Sequence, residues 1–245
     1  MNNLYFYSNP LIDIGLKKVK ENIKIIASDN DFKQCVSILK WTFYNFLYLK
    51  EDENYNNDYA LEIINYAKIN KLRVNCLCHA IVMNELLLSY GYKSRKIFCF
   101  NDDYMPKNNH VLVEAYIDSM KKWVVFDPTA NSYFTDGNKV PLSLKELSKL
   151  FSENRIPNIA YSKTLKIDNL HKILDYNEDN YIKYLNSVMY KFLSCSTQHT
   201  KYFLKEEVYY LLVSESDYIG IDYIVWETGK KCKAKIIKNE ELFWR

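Results

Sequence analysis

The amino-acid sequence predicts an α+β fold in which one buried helix packs against an antiparallel sheet. The first observation is the segment 76–90, which is apolar around most of its helical circumference, as in a helix enclosed by other elements. The second is the change in apolar spacing after Gly91, from about 3.6 residues to about 2. That change indicates strands over 95–100, 110–117 and 122–126. A sheet packed on a central helix follows.

The chain has 245 residues, of which 48% are hydrophobic and 16% aromatic, enough for a sizeable core. No linker rich in Pro, Gly or Ser, no low-complexity tract and no internal repeat divides it. We therefore expect one domain over 1–245, with a helical N-terminal part (1–70), a core (71–131) and C-terminal strands (195–245).

Charge and hydropathy exclude several function classes. Charged residues make up 26% of the chain, their signs are interspersed and the net charge is +3, so neither nucleic acid nor a membrane is expected as a partner. The sequence contains no signal-peptide core and no apolar stretch long enough to span a bilayer. We expect a cytoplasmic protein whose six irregularly spaced cysteines are thiols. No cofactor is indicated, and the sequence is silent on oligomeric state.

Three helices are expected before the central one. Asn9 and Pro10 suit the start of the first, whose apolar residues recur at three- and four-residue steps as far as Ile26. A second helix, rich in aromatic residues, covers about 31–49 and stops at an acidic, Asn-rich turn. A third covers about 58–69.

Beyond the central helix, Gly91 suits a helix C′ position and 118–121 suits a turn between two strands. After Pro128 we expect a short helix (143–151), an irregular stretch and a further helix (179–193). Three strands should end the chain, over 201–213, 218–226 and 231–238, with a hairpin turn at Thr228 and Gly229.

Cys76 is the first candidate for chemistry because it opens the central helix. A sulfur there lies near unpaired backbone N–H groups and the positive end of the helix dipole, which stabilise a thiolate. The alternative is a small buried side chain that only packs, as free cysteines often do.

His110 and Asp127 supply the other two parts of a nucleophilic site. His110 opens one predicted strand and Asp127 ends the next. A two-residue turn at Asp118 and Ser119 would pair them directly, with Cβ atoms roughly 4.5–5.5 Å apart; a longer turn would offset them by up to three residues. Asp127 would then orient the His110 ring and favour its imidazolium form. The alternatives are a surface histidine and a turn aspartate before proline.

These motifs resemble those of the transglutaminase-like superfamily over roughly 71–131. That family has a cysteine opening a helix that ends in Gly and leads to Arg, a strand that begins with His, and a strand that ends in Asp-Pro-Thr. The matching residues are Cys76, Ala80, Gly91 and Arg95, then His110, Glu114, Ala115 and Tyr116, then Trp123, Val124, Val125, Phe126, Asp127, Pro128 and Thr129.

The resemblance implies a papain-like fold and acyl transfer through a thioester, with Cys76, His110 and Asp127 as a catalytic triad. Alignment by the helix-ending glycine selects Cys76 over Cys78. The substrate would be a peptide or protein amide, and the acceptor water or an amine. Val74 and Leu112 depart from the family pattern beside the cleft and leave substrate shape open. The alternative is an inactive member that serves as a binding or structural module.

Three residues are candidates for the second oxyanion donor beside the backbone N–H of Cys76: Trp41, Asn75 and Asn70. Each has a plainer role, a core aromatic for Trp41 and turn residues for the two asparagines. The run Cys76-Leu77-Cys78-His79 lacks the spacing of structural zinc sites, so no metal is expected.

Glu85 is a charged residue in the apolar central helix, and a buried charge is stable only when it is paired. We expect Glu85 to pair with a buried arginine such as Arg95.

Overall fold

The structure of the chain is a computed structural model that describes residues 13–48, 59–69, 73–101, 109–161, 178–195, 209–212, 223–225, 231–237 and 243–244. The helices in these residues are α1 (Asp13–Asn22), α2 (Asp31–Asn45), α3 (Ala60–Ile69), α4 (Cys76–Ser89), α5 (Leu144–Ser152) and α6 (Glu178–Ser187). The strands are β1 (Leu47–Tyr48), β2 (Arg73–Val74), β3 (Ser94–Phe100), β4 (Asn109–Ile117), β5 (Lys122–Asp127), β6 (Ser132–Thr135), β7 (Asn158–Tyr161), β8 (Lys191–Cys195), β9 (Tyr209–Leu212), β10 (Tyr223–Val225) and β11 (Lys231–Ile237).

Nine of these strands form one sheet in the order β10-β11-β9-β8-β3-β4-β5-β6-β7. Neighbouring strands are antiparallel except β11 and β9, which are parallel. The predicted antiparallel sheet is therefore confirmed around the core motifs. At its C-terminal end the sheet contains a parallel pair that local periodicity did not indicate.

The two faces of the central strands bury two separate cores. Alternate residues of β4 divide between them, because successive side chains of a strand point to opposite faces. Val111 and Val113 pack with α4 and the N-terminal helices. Leu112, together with Val125 of β5, packs with α5, α6 and Phe243 near the chain end. Helices thus cover both faces of the sheet, and α4 lies between the sheet and α1–α3.

The central helix begins and ends as its sequence predicts. Asn75 is the N-cap, with Oδ1 accepting a hydrogen bond from the N–H of Cys78 at 3.0 Å. At the other end Gly91 has φ +89°, and the N–H groups of Gly91 and Tyr92 donate to carbonyls of Leu88 and Leu87. This is a Schellman motif, which requires a residue that tolerates left-handed backbone.

Two predicted N-terminal helices are shorter in the structure. α1 ends at Asn22, and Ile26 lies beyond it with 89% of its side chain exposed. α2 ends at Asn45 because the chain turns extended at Phe46 and pairs as β1 with β2. The predicted helix start at Asn9 and Pro10 lies outside the described residues. α3 runs over Ala60–Ile69, close to expectation.

The region after β5 differs more from expectation. β7 lies in the stretch expected to be irregular, and β6 lies between Pro128 and α5, where no strand was expected. The helix expected over 179–193 ends at Ser187, and residues 191–195 instead form β8 against β3. Parts of the three final strands are described as β9, β10 and β11, whereas Thr228 and Gly229 lie outside the described residues.

Arg95 lies at the centre of the second core, on β3. Its guanidinium pairs with Glu114 of β4 at 2.7 Å, both side chains being 1% exposed. It also donates to the carbonyl of Phe243 and stacks on Trp123, with Cζ 4.4 Å from the ring centroid. The predicted pairing of Arg95 with Glu85 is wrong, because Glu85 instead accepts the N–H of Ala60 at the start of α3.

None of the helices in the described ranges is long and apolar enough to cross a membrane.

Candidate active site

The two cysteines at the start of α4 differ in their exposure to solvent. Cys76 is the first residue of the helix and is partly exposed, whereas Cys78 is 3% exposed in the core. Asn75 bonds the N–H groups of Cys78 and His79 through its side-chain and main-chain oxygens. These bonds fix the first turn around the Cys76 thiol.

The strand carrying His110 pairs with the strand carrying Asp127 in the register that a longer turn produces. Residues 118–120 form a 3₁₀ turn and Lys121 follows with φ 51°, so Ile117 pairs with Lys122. The two-residue turn is therefore wrong, and the alternative of a longer turn, which offsets His110 and Asp127 by up to three residues, is confirmed. His110 lies two residues away from the position opposite Asp127, since Val113 pairs with Phe126. Residues two apart share one face of a strand, so the pair becomes a diagonal one on the same face.

His110 and Asp127 nevertheless touch. Nε2 of His110 lies 2.7 Å from Oδ2 of Asp127, and the two side chains are 4% and 0% exposed. The other carboxylate oxygen, Oδ1, accepts the backbone N–H groups of Thr129 at 2.8 Å and Ala130 at 3.3 Å. The turn after β5 therefore holds the carboxylate, and the carboxylate orients the ring.

Electrostatics favour the charged form of this pair. Burial alone lowers the pKa of His110, but the charge and hydrogen bond of Asp127, helped by Cys76, outweigh burial and raise it to about 10. Burial raises the pKa of Asp127, yet His110, Tyr181 and the N–H of Thr129 lower it below its ordinary value. At neutral pH the pair is an imidazolium bound to a carboxylate.

The second ring nitrogen of His110 is the one available to a thiol. Nδ1 is buried and has no hydrogen-bond partner in the described part of the chain. The thiol of Cys76 lies close enough to the ring to raise the pKa of His110. In resting enzymes a nucleophile and its base are often imperfectly aligned and come together on binding substrate. The arrangement brings all three predicted residues into one site.

His79 is a second buried histidine near the site, and it is neutral. Burial lowers its pKa to about 4, although the carbonyl of Asn75 accepts from its Nδ1 at 2.9 Å. Nδ1 must carry the proton, because a carbonyl only accepts. Within the described ranges no cluster of three or more His, Cys, Asp or Glu side chains could hold a metal.

The candidate oxyanion donors lie in different places. Trp41 packs in the core beside Phe46, with ring centroids 6.3 Å apart, and Phe46 contacts the ring of His79 at 5.7 Å. Asn75 uses Oδ1 as the cap of α4. Asn70 lies outside the described residues.

A group of residues that sequence reasoning missed surrounds the buried pair. The hydroxyl of Tyr181 on α6 donates to Oδ2 of Asp127 at 2.6 Å, and Ser132 on β6 lies 3.1 Å from that hydroxyl. The ring of Tyr184 stands edge-on to His110, with centroids 5.5 Å apart. The two tyrosines gave no local signal, because Tyr181 is 54 residues from Asp127 and Tyr184 is 75 residues from Asn109 in sequence. Only the spacing of the two tyrosines on one helix face was readable.

Chemically, the site combines a partly exposed thiol, an acid–base group beside it and a fixed carboxylate. A histidine whose Nε2–H is held by a carboxylate can exchange a proton only through Nδ1, which has no hydrogen-bond partner among the described residues. Such a constellation suits nucleophilic attack on an acyl group followed by protonation of the leaving group.

Part of the chain is similar to a known family and to solved structures. A family model described as the transglutaminase-like superfamily matches residues 20–128. No curated protein sequence matches the chain. Among solved structures, one match is a "putative cysteine protease" from Cytophaga hutchinsonii, 19% identical, with a TM-score of 0.33. That match covers 49% of this chain and 37% of the other.

Proposed function

We propose that this chain, whose residues 20–128 match the model of the transglutaminase-like superfamily, is a cysteine enzyme that transfers acyl groups from peptide or protein amides. The observation that carries the proposal is the contact of 2.7 Å between His110 Nε2 and Asp127 Oδ2, beside a partly exposed Cys76. Each residue has one role: Cys76 is the nucleophile, His110 the general acid and base, and Asp127 the group that orients His110.

In the first step the sulfur of Cys76 attacks the amide carbonyl carbon as a thiolate, having given its proton to Nδ1 of His110. The tetrahedral intermediate collapses when the C–N bond breaks and Nδ1 returns the proton to the leaving amine. A thioester on Cys76 and a free amine result. The N–H of Cys76, in the first turn of α4, is the first donor to the oxyanion, because N–H groups there lack intrahelical acceptors.

In the second step water or an amine attacks the thioester, and Nδ1 of His110 accepts its proton. The C–S bond breaks, and the released thiolate or thiol completes the cycle. Water gives a carboxylic acid, as in a peptidase or amidase, whereas an amine gives a new amide, as in a transglutaminase. The two outcomes share one acyl-enzyme and differ only in what reaches it.

The test begins with labelling of the thiols by a peptide-like electrophile from pH 5 to 9. Cys76 should react at least about tenfold faster than any other thiol at pH 6, where unperturbed thiols of pKa about 8.5 are protonated. Cys76→Ala should remove the fast label and Cys78→Ala should not, because Cys78 is buried in the same helix. Equal rates for all accessible thiols at pH 6 would favour a binding or structural module instead.

A screen then separates the reaction types. The purified chain is incubated with a protein substrate mixture, with and without a biotinylated primary amine, and products are read by mass spectrometry. New termini or deamidated side chains indicate hydrolysis, and incorporated biotin indicates transamidation. Both should vanish in Cys76→Ala and His110→Gln. Activity that survives in Cys76→Ala would refute the thioester route.

A further inference from the structure

The helix α6 supplies contacts to the site from outside the region matched by the family model. Two tyrosines one turn apart face the buried pair. Tyr181 is 4% exposed and bonds Asp127, and Tyr184 donates to the carbonyl of Asn109 at 3.0 Å while its ring flanks His110. Neither belongs to the three motifs on which the proposed function rests.

Donor and acceptor roles in this group have one consistent direction. An ionised carboxylate only accepts, so the single proton of the Tyr181 hydroxyl points to Oδ2 of Asp127. Ser132 Oγ must then donate to the oxygen of Tyr181. The chain therefore runs from Ser132 through Tyr181 to Asp127, where Oδ2 also accepts Nε2–H of His110. Hydrogen bonds in such a chain polarise one another.

We propose that Tyr181 is a positioning residue that sets how strongly Asp127 holds the proton-bearing ring of His110, by sharing the carboxylate oxygen that the ring uses. Removal of the hydroxyl should not release the carboxylate, because Oδ1 stays bonded to the N–H groups of Thr129 and Ala130. The ring of Tyr181 also stays stacked near Phe134, with centroids 6.3 Å apart. What changes is the negative charge that Oδ2 offers to His110.

The direction of the effect follows from this sharing. A donor on Oδ2 draws charge from the oxygen, which lowers the pKa of Asp127 and weakens the attraction of that oxygen for the imidazolium. Without the donor, His110 should bind its proton more tightly. On the proposed function, the tyrosine thus makes His110 a better acid toward the leaving amine.

Other titratable groups face the pair and must be held constant. They come from the helix α4, from β3 beside β4, and from α6: Cys76, His79, Cys99 and Tyr184. Cys76 raises the pKa of His110, so the comparison is made in a Cys76→Ala background, which removes that contribution and the thiol chemistry.

The experiment is a pH titration of the imidazole nitrogens by ¹⁵N NMR. It compares Cys76→Ala with the double variants that add Tyr181→Phe, Ser132→Ala or Tyr184→Phe. The His110 signal among the four histidines is assigned by its loss in His110→Gln. Tyr181→Phe should raise the His110 midpoint by about 0.5–1 unit, as expected for one hydrogen bond to a charged group. Ser132→Ala should raise it less, because it removes only the polarising donor.

Tyr184→Phe is the matched control. It removes a hydroxyl from the same helix, keeps the ring beside His110, and should leave the midpoint unchanged. A Tyr181→Phe midpoint that is unchanged or lower would overturn the proposal, since either result means that the hydroxyl only packs or aims the carboxylate. If that variant does not fold, Ser132→Ala carries the same test, and no upward shift there overturns it.

This measurement does not use the nucleophile, so it separates the two proposals. A raised midpoint in a protein without acyl-transfer activity supports the role of Tyr181 and counts against the enzyme. Amide cleavage by the wild type, with no shift of the His110 midpoint in Tyr181→Phe, supports the enzyme and counts against the role of Tyr181.

Discussion

Replacement of Asp127 by Asn is the sharpest test of the buried pair. The variant keeps an oxygen at Oδ1 for the N–H groups of Thr129 and Ala130, so the turn after β5 should survive. The amide nitrogen that takes the place of Oδ2 donates instead of accepting. His110 must then turn an unprotonated Nε2 toward residue 127, which puts the ring proton on Nδ1 and blocks transfer from Cys76.

The size of the effect follows from the burial and charge of the pair. The pKa of His110 is raised to about 10 although burial lowers it, so loss of the charge of Asp127 should lower it toward its ordinary value of 6.5. A fall of the His110 pKa from about 10 to 6.5 corresponds to about 5 kcal/mol between the two protonation states. Loss of a correctly protonated general acid and base costs roughly 10²–10⁴ in rate.

The same variant should change how stability depends on pH. The raised pKa of His110 contributes stability that is fully present below about 6.5 and is lost as pH rises through about 10. The lowered pKa of Asp127 contributes stability above its ordinary value near 3.8, which is lost as pH falls. The wild type should therefore lose about 1.4 kcal/mol per pH unit between roughly 6.5 and 10 relative to Asp127→Asn, because its folded state retains one more proton.

Urea unfolding of both proteins at pH 5 to 10 measures this difference, and groups that titrate alike in both cancel. Imidazole NMR of the same samples reports the His110 midpoint directly. Parallel pH profiles for the two proteins, or a His110 midpoint near 6.5 in the wild type, would refute the electrostatic reasoning.

Two further predictions concern the frame of the site. Glu114→Gln removes the carboxylate that pairs with the buried guanidinium of Arg95 and should cost about 3–5 kcal/mol in urea unfolding. Glu85→Gln keeps an acceptor for the N–H of Ala60 and should cost under about 1 kcal/mol. Equal costs would contradict the observed pairing. Asn75→Ala removes the cap of α4, so it should lower the free energy of unfolding by about 1 kcal/mol and slow the alkylation of Cys76. Asn75→Ser keeps a capping oxygen and should retain most of the stability and most of the alkylation rate. Alkylation of Cys76 at the wild-type rate in Asn75→Ala would show that the first turn needs no cap.

Elements with strong local signals were predicted well. α4 is buried and begins at Cys76, because an uninterrupted apolar surface can only be stable inside a domain and Asn75 is a suitable cap. Gly91 ends it because the left-handed C′ position favours glycine. The strands β3, β4 and β5 begin and end within one residue of the bounds predicted from the period of two.

Elements set by distant partners were predicted poorly. Residues 191–195 continue a helical pattern in sequence but form β8, because an unpaired edge of β3 offers backbone hydrogen bonds there. The sequence left two turn lengths open, and the structure decides the strand register because Lys121 adopts a left-handed conformation that lengthens the turn by two residues. Arg95 pairs with Glu114 on the neighbouring strand and not with Glu85 on the helix. Which carboxylate it meets depends on which face each element buries.

By itself, the sequence determined which residue types are present and in which local elements they stand: a cysteine that opens a buried helix, a histidine that opens a strand and an aspartate that ends the next. Only the tertiary structure decided that His110 and Asp127 meet diagonally, that Nδ1 is the nitrogen left for Cys76, and that Tyr181 shares the carboxylate. The physical reason is the separation in sequence over which each kind of interaction acts. Caps and periodicity act within a few residues, whereas hydrogen bonds between distant segments exist only after the sheet and its helices have packed.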